Sequence, residues 1–465
     1  MDMLMKDTNQ WAHRQFDRVK LGDVRRTRRL VKIAAGLAAK SYGTLPRSFP
    51  VRKDLKAAYR FLRHRASQYE RILGPHLLET YQQMCQPGQY LIVEDPTSLD
   101  FTGRQVGRKL GRIGDDRGQG IWLNTYLAAA IYGYDDQQTP QVGVLGLLAQ
   151  QYWLRTGPAH KGRETAKQRL SRPRESEHWA SIFPKMSPLP EGVHWIHIAD
   201  CEADVYETYV RGQQPGVDLI IRANQPRALT APGGSTLQKV EATRVQARLD
   251  LRLRARPGHP ARTAHLRVRA VQVVLRPPYR PNSTLEPHTI GVVLVREVHP
   301  PKNVQRLEWV LLTSLPIGSE AAVLRVVRTY ACRPLIEEYH KALKSGMHIE
   351  DSQLEEPQEL QALLGIHVVG AARLLQMKHL AVQEPDKVLK PGQVDEDILA
   401  ILRGQFGLPT GGWTPLTVLK SIARLGGFLA RTADGMPGWQ TLWRGWQELM
   451  TMLCGYRLAK GMRCG

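Results

Sequence analysis

The segment "QYLIVEDPTSLDF", residues 89–101, decides the fold class that the sequence predicts. Its apolar run lacks the alternation of a half-exposed strand and is typical of a strand buried on both faces of a sheet. The pattern predicts that this strand ends at Glu94, Asp95 and Pro96, so that a carboxylate emerges at the rim of the sheet. An acid at a strand end is often only a turn residue, so this segment alone does not define a site.

Segments on both sides extend the pattern into a mixed α/β architecture. "GIWLNTYLAAAIYGYD" (residues 120–135) and "TPQVGVLGLLAQQYW" (residues 139–153) read as two more apolar strands, and "HWIHIADCEADVYETYV" (residues 194–210) reads as a strand that ends at Asp200 before a helix. Residues 11–70 and the last hundred residues read as helical. The sequence therefore predicts a multidomain chain: a helical region at 1–70, a mixed sheet with helices at 71–370, and a helical region at 371–465.

Residues 225–305 form an arginine-rich stretch with period-two alternation, which predicts half-buried antiparallel strands. The residues expected on its polar face are Arg248, Asp250, Arg252, Arg254, Arg256, Arg267 and Arg269. The alternation fits a solvated sheet face and equally a face that lies beside DNA.

The net charge of +22 is the strongest property of the whole composition, with 65 Lys and Arg against 43 Asp and Glu. It indicates a polyanionic partner, most simply nucleic acid, although a generally basic soluble enzyme is the alternative. Residues 1–70 carry 17 Lys and Arg against 6 Asp and Glu, which is half of the surplus. Asp23 is a candidate N-cap there, and the cations that follow it, among them Arg25, Arg26 and Arg29, oppose the helix macrodipole. A phosphate partner explains them better than helix stability does.

The remaining composition narrows the class of protein. The length of 465 residues fits about three domains. The 5 cysteines are scattered without metal-site spacing, which argues against a disulfide framework or a zinc ribbon and fits a reducing cytoplasm. We see no apolar run near the ~18 residues of a membrane span, and the polar first residues are not those of a secretory signal.

One later segment, "YACRPLIEEYHKALKSG" (residues 330–346), carries a polar stripe at helical spacing. The stripe contains Tyr330, Arg333, Glu337, Lys341 and Lys344. Taken alone it fits a solvated helix face with an ordinary ion pair between Glu337 and Lys341. Carboxylates at Asp95, Asp200 and Glu337 would repel one another if brought together, unless they hold hard cations such as Mg²⁺. Two such ions support phosphoryl transfer, which suits a strongly basic protein that processes DNA.

"VEDPTSL", "ADCEAD" and "YACRPLIEEYHKALKSGMHIE", in this order, closely resemble the catalytic motifs of bacterial DDE transposases of insertion-sequence family four, typified by the transposon-five transposase. The family's Tyr-x-x-Arg-x-x-x-Glu-x-x-x-x-x-x-Lys signature matches at Tyr330, Arg333, Glu337 and Lys344. The resemblance covers nearly the whole chain, including "LGDVRRTRRL" near the start and "IARLGGFLA" near the end.

The resemblance implies an RNase H-like catalytic core interrupted by an antiparallel β insertion at about 225–305, and cut-and-paste transposition at inverted-repeat ends. It implies that Asp95, Asp200 and Glu337 are catalytic and hold two Mg²⁺ ions, or Mn²⁺ in their place. It also implies DNA contacts for a larger set: Tyr330, Arg333, Lys341, Lys344, Trp309, Arg222, Arg25, Arg26 and Arg29. The expected partners are double-stranded end DNA, target DNA and a second copy of the chain, in the bacterial cytoplasm at the nucleoid.

Two features complete the expectations. Pro334 stands where the family commonly has Trp, and it predicts that the helix begins or kinks there, with Tyr330 and Arg333 on a preceding turn. In the last helix Trp439, Trp443 and Trp446 share an apolar stripe that suits either the core of its own domain or a partner helix in a dimer. A relic that binds DNA without cutting it and a metal-dependent endonuclease without strand transfer remain the alternatives.

Overall fold

The computed structural model describes residues 8–39, 44–115, 117–155, 178–186, 188–231, 234–253, 261–279, 285–431 and 434–462. Within these residues the strands join into one ten-stranded mixed sheet, with helices before it, on its faces and after it. The strands are β1 Gly88–Asp100, β2 Gly111–Ile113, β3 Gly118–Tyr134, β4 Pro140–Trp153, β5 Val193–Ala199, β6 Val217–Arg222, β7 Ala247–Leu253, β8 Arg262–Leu275, β9 His288–Glu297 and β10 Glu308–Thr313. The α-helices are α1 Thr8–Phe16, α2 Val24–Ala39, α3 Leu45–Ser48, α4 Arg52–Leu62, α5 Tyr69–Met84, α6 Tyr206–Gly212, α7 Thr236–Glu241, α8 Glu320–Tyr330, α9 Pro334–Lys341, α10 Pro357–Gln383, α11 Glu396–Phe406, α12 Pro415–Leu425 and α13 Trp439–Ala459.

The sheet has the order β2-β3-β1-β5-β6-β10-β9-β8-β7, and β4 pairs with β3 from Trp122 to Tyr134. β1, β5 and β6 run parallel, whereas the remaining pairs are antiparallel. Parallel neighbours require a crossover connection, and α6 lies in the one between β5 and β6. The carboxyl ends of three neighbouring strands therefore point to the same edge of the sheet.

β1 corrects the predicted end of the first strand. It continues past Asp95 to Asp100, because its antiparallel pairing with β3 runs through Pro96 to Asp100. What ends near Asp95 is the parallel pairing with β5, whose last register pair is Glu94 with Ala199. From that point β1 has a free edge on one side, which is where a strand tolerates proline.

The strands β7, β8 and β9 confirm the antiparallel pattern read from the arginine-rich stretch and extend the same sheet beyond β10. Arg248, Arg267 and Arg296 are cross-strand neighbours in one row, and Glu308 of β10 completes it. This row shares the face of Val310, whereas Trp309 points to the opposite face with Leu311. The arginine face thus lies on the other side of the sheet from Trp309. Arg254 and Arg256 lie outside the described residues.

The central helix α10 packs on α5 and β4 and also contacts helices from both ends of the chain. Residues 357–381 of this helix are long and apolar enough to cross a membrane, but 83% of the most apolar stretch is buried inside the protein. A core helix of a folded domain has the same composition. The sequence-based search for apolar runs missed this stretch, because single charged residues interrupt it.

One hydrophobic core connects the N-terminal helices, one face of the sheet and the C-terminal helices. The predicted boundaries near 70 and 370 fall inside α5 and α10, which run through them without a break. Arg373 of α10 is buried, and its guanidinium lies 4.9 Å from the ring of Trp11 and 5.9 Å from the ring of Trp446. The first and last helices therefore meet on the same central helix.

The tryptophan stripe of α13 faces this core. Trp443 and Trp446 are buried within the chain, and the Trp446 indole N–H donates to the carbonyl of Ala38 at 3.3 Å. Of the two alternatives for this stripe, the core of its own domain holds for these two side chains, because the same protomer already covers them. The exposed face of α13 carries Arg444, Glu448 and Thr451 instead.

Candidate active site

Asp95 and Asp200 meet at the edge where the parallel strands end. Asp95 directly follows the last β1 residue paired with β5, and Asp200 directly follows β5 itself. The Asp200 carboxylate also caps a short 3₁₀ helix, because one of its oxygens accepts the N–H of Glu202 at 2.9 Å. Ligand sites in sheets with parallel strands form at this edge.

Glu337 reaches the same edge from α9, which packs against β1. Pro334 is the first residue of α9, where its missing N–H costs no helical hydrogen bond. The prediction that the helix begins at Pro334 is confirmed. Tyr330, however, is the last residue of α8 and not part of a turn, and Arg333 has helical dihedral angles of φ −50° and ψ −37° although it precedes a proline.

The guanidinium of Arg333 lies at the centre of the three acids. Its Nη2 is 2.9 Å from Asp95 Oδ1 and 3.0 Å from Asp200 Oδ2. Its Nη1 is 2.6 Å from Glu337 Oε1. The side chains of Arg333 and Asp95 are only 16% and 13% exposed, so water screens these ion pairs weakly. The structure thus brings together four residues that are up to 242 positions apart in the sequence.

Burial sets the electrostatics of this cluster. It raises the pKa of Asp95 to about 7, and the nearby Asp200 carboxylate acts in the same direction, while Arg333 opposes both. Burial disfavours the charged Arg333 guanidinium, but Asp95 and Asp200 outweigh it and hold the pKa of Arg333 above its ordinary value. The cluster therefore holds several charged side chains where little water reaches them, an arrangement that is common at functional sites.

The side chains have the chemistry that a hard divalent cation needs, because three carboxylates supply oxygen ligands around one position, which a positive group now fills. Among the residues that the structure describes, no group of three or more His, Cys, Asp or Glu side chains stands in a ready metal-binding arrangement. The reason is visible in the geometry, since Arg333 fills the space between the carboxylates. The residues fit Mg²⁺ once the guanidinium leaves that position.

Tyr330, Trp309 and Arg222 lie on the side of the cluster toward β6 and β10. The rings of Trp309 and Tyr330 meet edge to face with centroids 5.3 Å apart. Arg222 ends β6 opposite Leu311. Burial raises the pKa of Tyr330, whereas the charges of Arg333 and Arg222 act against that rise, which places both cations near the phenol. These predicted site residues therefore adjoin the three acids.

Of the two lysines in the predicted stripe, Lys344 lies beyond the regular helix, whereas Lys341 keeps its place. Lys341 is exposed at the end of α9, and Lys344 lies in a π-helical turn, Ala342–Gly346, that follows. A π turn adds a residue to the helical repeat and rotates later side chains away from an ideal stripe. The Nζ of Lys344 lies 4.0 Å from Glu350 Oε1, which also accepts the N–H of Asp100.

The N-terminal arginines have partners within the chain. Arg25 pairs with Asp23 at 3.0 Å, Arg26 donates to the carbonyl of Leu21 at 2.8 Å, and Arg29 pairs with Asp54 at 3.2 Å. Asp23 is the predicted cap, because its side chain accepts the Arg25 N–H at 2.8 Å. These contacts reduce the unfavourable interaction between the arginine charges and the helix N-terminus. Helix stability alone therefore argues less strongly for a phosphate partner than the sequence suggested. Arg25 remains 85% exposed.

Both ends of the chain match known families. Residues 8–67 match a family model described as transposase DNA-binding. Residues 396–464 match one described as the transposase Tn5 dimerisation domain. Together the two matches support a Tn5-like transposase.

For a Tn5-like transposase, the two matches assign DNA binding to α1–α4 and homodimer formation to α11–α13. The resemblance read from the sequence motifs is thereby confirmed at both ends of the chain. Because Trp443 and Trp446 are buried, dimer contacts of this transposase have to use other surfaces of its C-terminal helices.

His340 is a site residue that the sequence reasoning missed. It is buried, its Nδ1 lies 3.8 Å from Asp95 Oδ2, and its Nε2 has no hydrogen-bond partner. Burial lowers the pKa of His340 to about 3, and Lys344 and Arg333 act in the same direction, so the imidazole is neutral. The sequence could have indicated this residue. His340 follows Glu337 by three positions, and residues three apart on a helix share a face.

Proposed function

We propose that this protein is a DDE transposase that carries out metal-dependent cut-and-paste transposition at inverted-repeat DNA ends. The observation that carries the proposal is the meeting of Asp95, Asp200 and Glu337, from three separate elements, around one cation. The mixed sheet with acids at the ends of neighbouring parallel strands supports an RNase H-like core, and β7, β8 and β9 support a β insertion into it.

In this proposal Asp95, Asp200 and Glu337 hold two Mg²⁺ ions, with Mn²⁺ able to replace them. When bound, such a pair activates a water or 3′-hydroxyl and stabilises the leaving oxygen of phosphoryl transfer. The protein then positions four successive reactions. Water cuts one strand at the element's end, the freed 3′-hydroxyl attacks the opposite strand to form a hairpin, water opens the hairpin, and the 3′-hydroxyl of the excised end attacks target DNA.

The residues around the acids suit the handling of a distorted DNA end. Arg333, Lys341, Lys344 and Tyr330 would bind phosphates near the hairpin, with Arg222 beside them. Trp309 contacts Tyr330 through an edge-to-face arrangement, so a face of one ring is available for a base taken out of the stack. Arg25, Arg26 and Arg29 would contact phosphates of the end DNA and so position it without reading its sequence.

Cleavage of the element's own ends tests the proposal. The protein is incubated with Mg²⁺ and DNA that carries the inverted repeats flanking its coding sequence, and the products are examined for hairpins, blunt excised ends and joined target DNA. Asp95→Asn, Asp200→Asn and Glu337→Gln should each abolish cutting, while Glu320→Gln, an exposed acid of α8, should cut as the wild type does.

The outcomes separate the proposal from its rivals. Cutting without strand joining would indicate a metal-dependent endonuclease, and end binding without cutting would indicate an impaired DNA-binding relic. Cutting by Asp95→Asn at the wild-type rate would refute the assignment of the metal ligands.

A further inference from the structure

Arg333 occupies the position that the proposed cations need. One guanidinium contacts three carboxylates at 2.6 to 3.0 Å, so these oxygens already have a positive partner. A divalent cation and a guanidinium cannot both lie between the same oxygens at these distances, because metal–oxygen bonds are about 2.0–2.1 Å long for Mg²⁺. Metal binding therefore requires that the Arg333 side chain move.

We propose that Arg333 is an internal counter-ion that excludes divalent cations until a DNA phosphate draws its guanidinium away, so that metal loading depends on DNA binding. This inference rests on the proposed function, since it takes Asp95, Asp200 and Glu337 as the metal ligands. It adds regulation of that site: the transposase without DNA is held in a form that binds metal poorly.

The contacts of Arg333 suit such a movement. Its backbone is fixed, because its N–H donates to the carbonyl of Tyr330 at 2.9 Å and it caps the start of α9. Its side chain forms ion pairs to the acids that a metal would occupy, and its buried Nε has no hydrogen-bond partner among the residues that the structure describes. The guanidinium can thus leave without unwinding a helix, and the Nε gains a partner when it does.

A phosphate is the natural alternative partner for this side chain. The planar guanidinium binds two phosphate oxygens at once and stays charged at all relevant pH values. Arg222, like Arg333, lies near Tyr330 and adds positive potential there. After the exchange Arg333 pairs with DNA and the carboxylates pair with metal, so every charge keeps a partner.

Thermodynamic linkage makes the inference measurable. If DNA raises the affinity of the protein for metal, metal must raise the affinity of the protein for DNA by the same factor. The test uses Mn²⁺ as the probe and measures its binding to the full chain without DNA, by calorimetry or by electron paramagnetic resonance. Arg333→Gln should bind Mn²⁺ more tightly than the wild type by a factor of about 5 to 150, the usual size of such a coupling. Arg325→Gln removes the same charge from α8, where Arg325 contacts Gln138 and the ring of Tyr134, and should leave the affinity unchanged.

A second arm adds DNA, and its measurement on the wild-type chain does not depend on the folding of Arg333→Gln. Adding a duplex of the element's inverted repeat should raise the Mn²⁺ affinity of the wild type, and should raise that of Arg333→Gln much less. If the duplex leaves the wild-type affinity unchanged, or if folded Arg333→Gln binds Mn²⁺ no more tightly than the wild type, the inference is overturned.

Asp95→Asn separates failure of this inference from failure of the proposed function. If Asp95→Asn weakens Mn²⁺ binding while Arg333→Gln does not strengthen it, the acids are metal ligands and only the role of Arg333 is wrong. If Asp95→Asn changes neither Mn²⁺ binding nor DNA cutting, the metal site itself is misassigned.

Discussion

At the scale of single residues, Asp95 is a buried acid placed between a cation and another acid. Burial raises its pKa to about 7 in the folded protein, compared with 3.8 for an exposed aspartate. The folded chain therefore holds a proton on Asp95 over a pH range in which the unfolded chain has already lost it. By linkage, the contribution of Asp95 to stability falls as the pH rises from about 4 to about 7.

The predicted fall in stability with rising pH can be checked in metal-free buffer. The free energy of unfolding is measured by urea at pH 4.5 and pH 7 for the wild type and for Asp95→Asn, which cannot ionise. Between these pH values the wild type should lose about 2 kcal/mol or more relative to Asp95→Asn, since each pKa unit is worth about 1.4 kcal/mol. An equal change in both proteins would show that the Asp95 carboxyl is not desolvated.

The position of Asp95 was readable from the sequence, and that of Arg333 was not. An apolar run followed by an acid predicts a buried strand that carries a carboxylate to the edge of the sheet, because this pattern depends only on neighbouring residues. The site of Arg333 depends on the turn between α8 and α9 and on three contacts made across the fold. An ideal helical stripe could group Arg333 with Glu337 but could not place it at the centre of the acids.

At the scale of elements, Pro334 sets the start of α9 without a cost in hydrogen bonds. It occupies the first helical position and is exposed, and the carbonyl of Tyr330 is satisfied by the N–H of Arg333 instead. The backbone of α9 is therefore not disturbed by this proline.

Pro334→Ala should accordingly change little. We expect a change in the free energy of unfolding below about 1 kcal/mol, mainly from the greater freedom of the unfolded chain. The rate of DNA cutting should equal that of the wild type. A marked loss of cutting in a stable Pro334→Ala protein would mean that the ring itself holds Arg333 in place.

Helices α12 and α13 cross so closely that glycine is required at the contact. A Cβ at Gly445 would overlap the carbonyl oxygen of Ile422, and it would lie 2.7 Å from the carbonyl carbon of Ile422 and 3.0 Å from the nitrogen of Gly426. Gly455 lies further along α13 with no atom within 4 Å of the corresponding position. The same substitution therefore has opposite expected effects at these two positions of one helix.

Gly445→Ala should destabilise the C-terminal helices by at least about 2 kcal/mol, since a packed contact is forced apart. Gly455→Ala should be neutral or stabilising by up to about 1 kcal/mol, because alanine favours the helix. Thermal unfolding of both proteins measures the difference. Equal effects at the two sites would refute the close crossing of α12 and α13.

The same elements show where sequence patterns are ambiguous. The stripe of α13 fits a core face and a partner-binding face equally well, because both need apolar side chains at helical spacing. Only the contact between Trp446 and Ala38, from residues 408 positions apart, decides for the core. Likewise, the length of β1 was set by its partner β3, which a single strand's pattern does not reveal.

At the scale of the whole molecule, the charge of +22 makes salt the natural probe of DNA binding. Each phosphate contact contributes about −0.9 to the slope of the logarithm of affinity against the logarithm of salt concentration. Of the three proposed end-binding arginines, Arg25 is exposed, with 85% of its side chain accessible, whereas Arg26 and Arg29 are half-buried.

Arg25→Gln should therefore reduce the salt slope of end binding by about 0.9, the value of one lost phosphate contact. Arg325→Gln removes the same charge from α8, outside the matched residues 8–67, and should leave the slope unchanged. Binding titrations of the inverted-repeat duplex over a range of salt concentrations give both slopes. A slope that is the same in all three proteins would exclude Arg25 from the interface.

The meeting of the two chain ends on α10 has a consequence for biosynthesis. Arg373 contacts Trp11 from the first helix and Trp446 from the last, and Ala38 of α2 receives the Trp446 hydrogen bond. During translation the first helices leave the ribosome hundreds of residues before their partner in α13 exists. The part of their apolar surface that α13 covers stays open for that time, so the N-terminal region reaches its final packing only after α13 has been made.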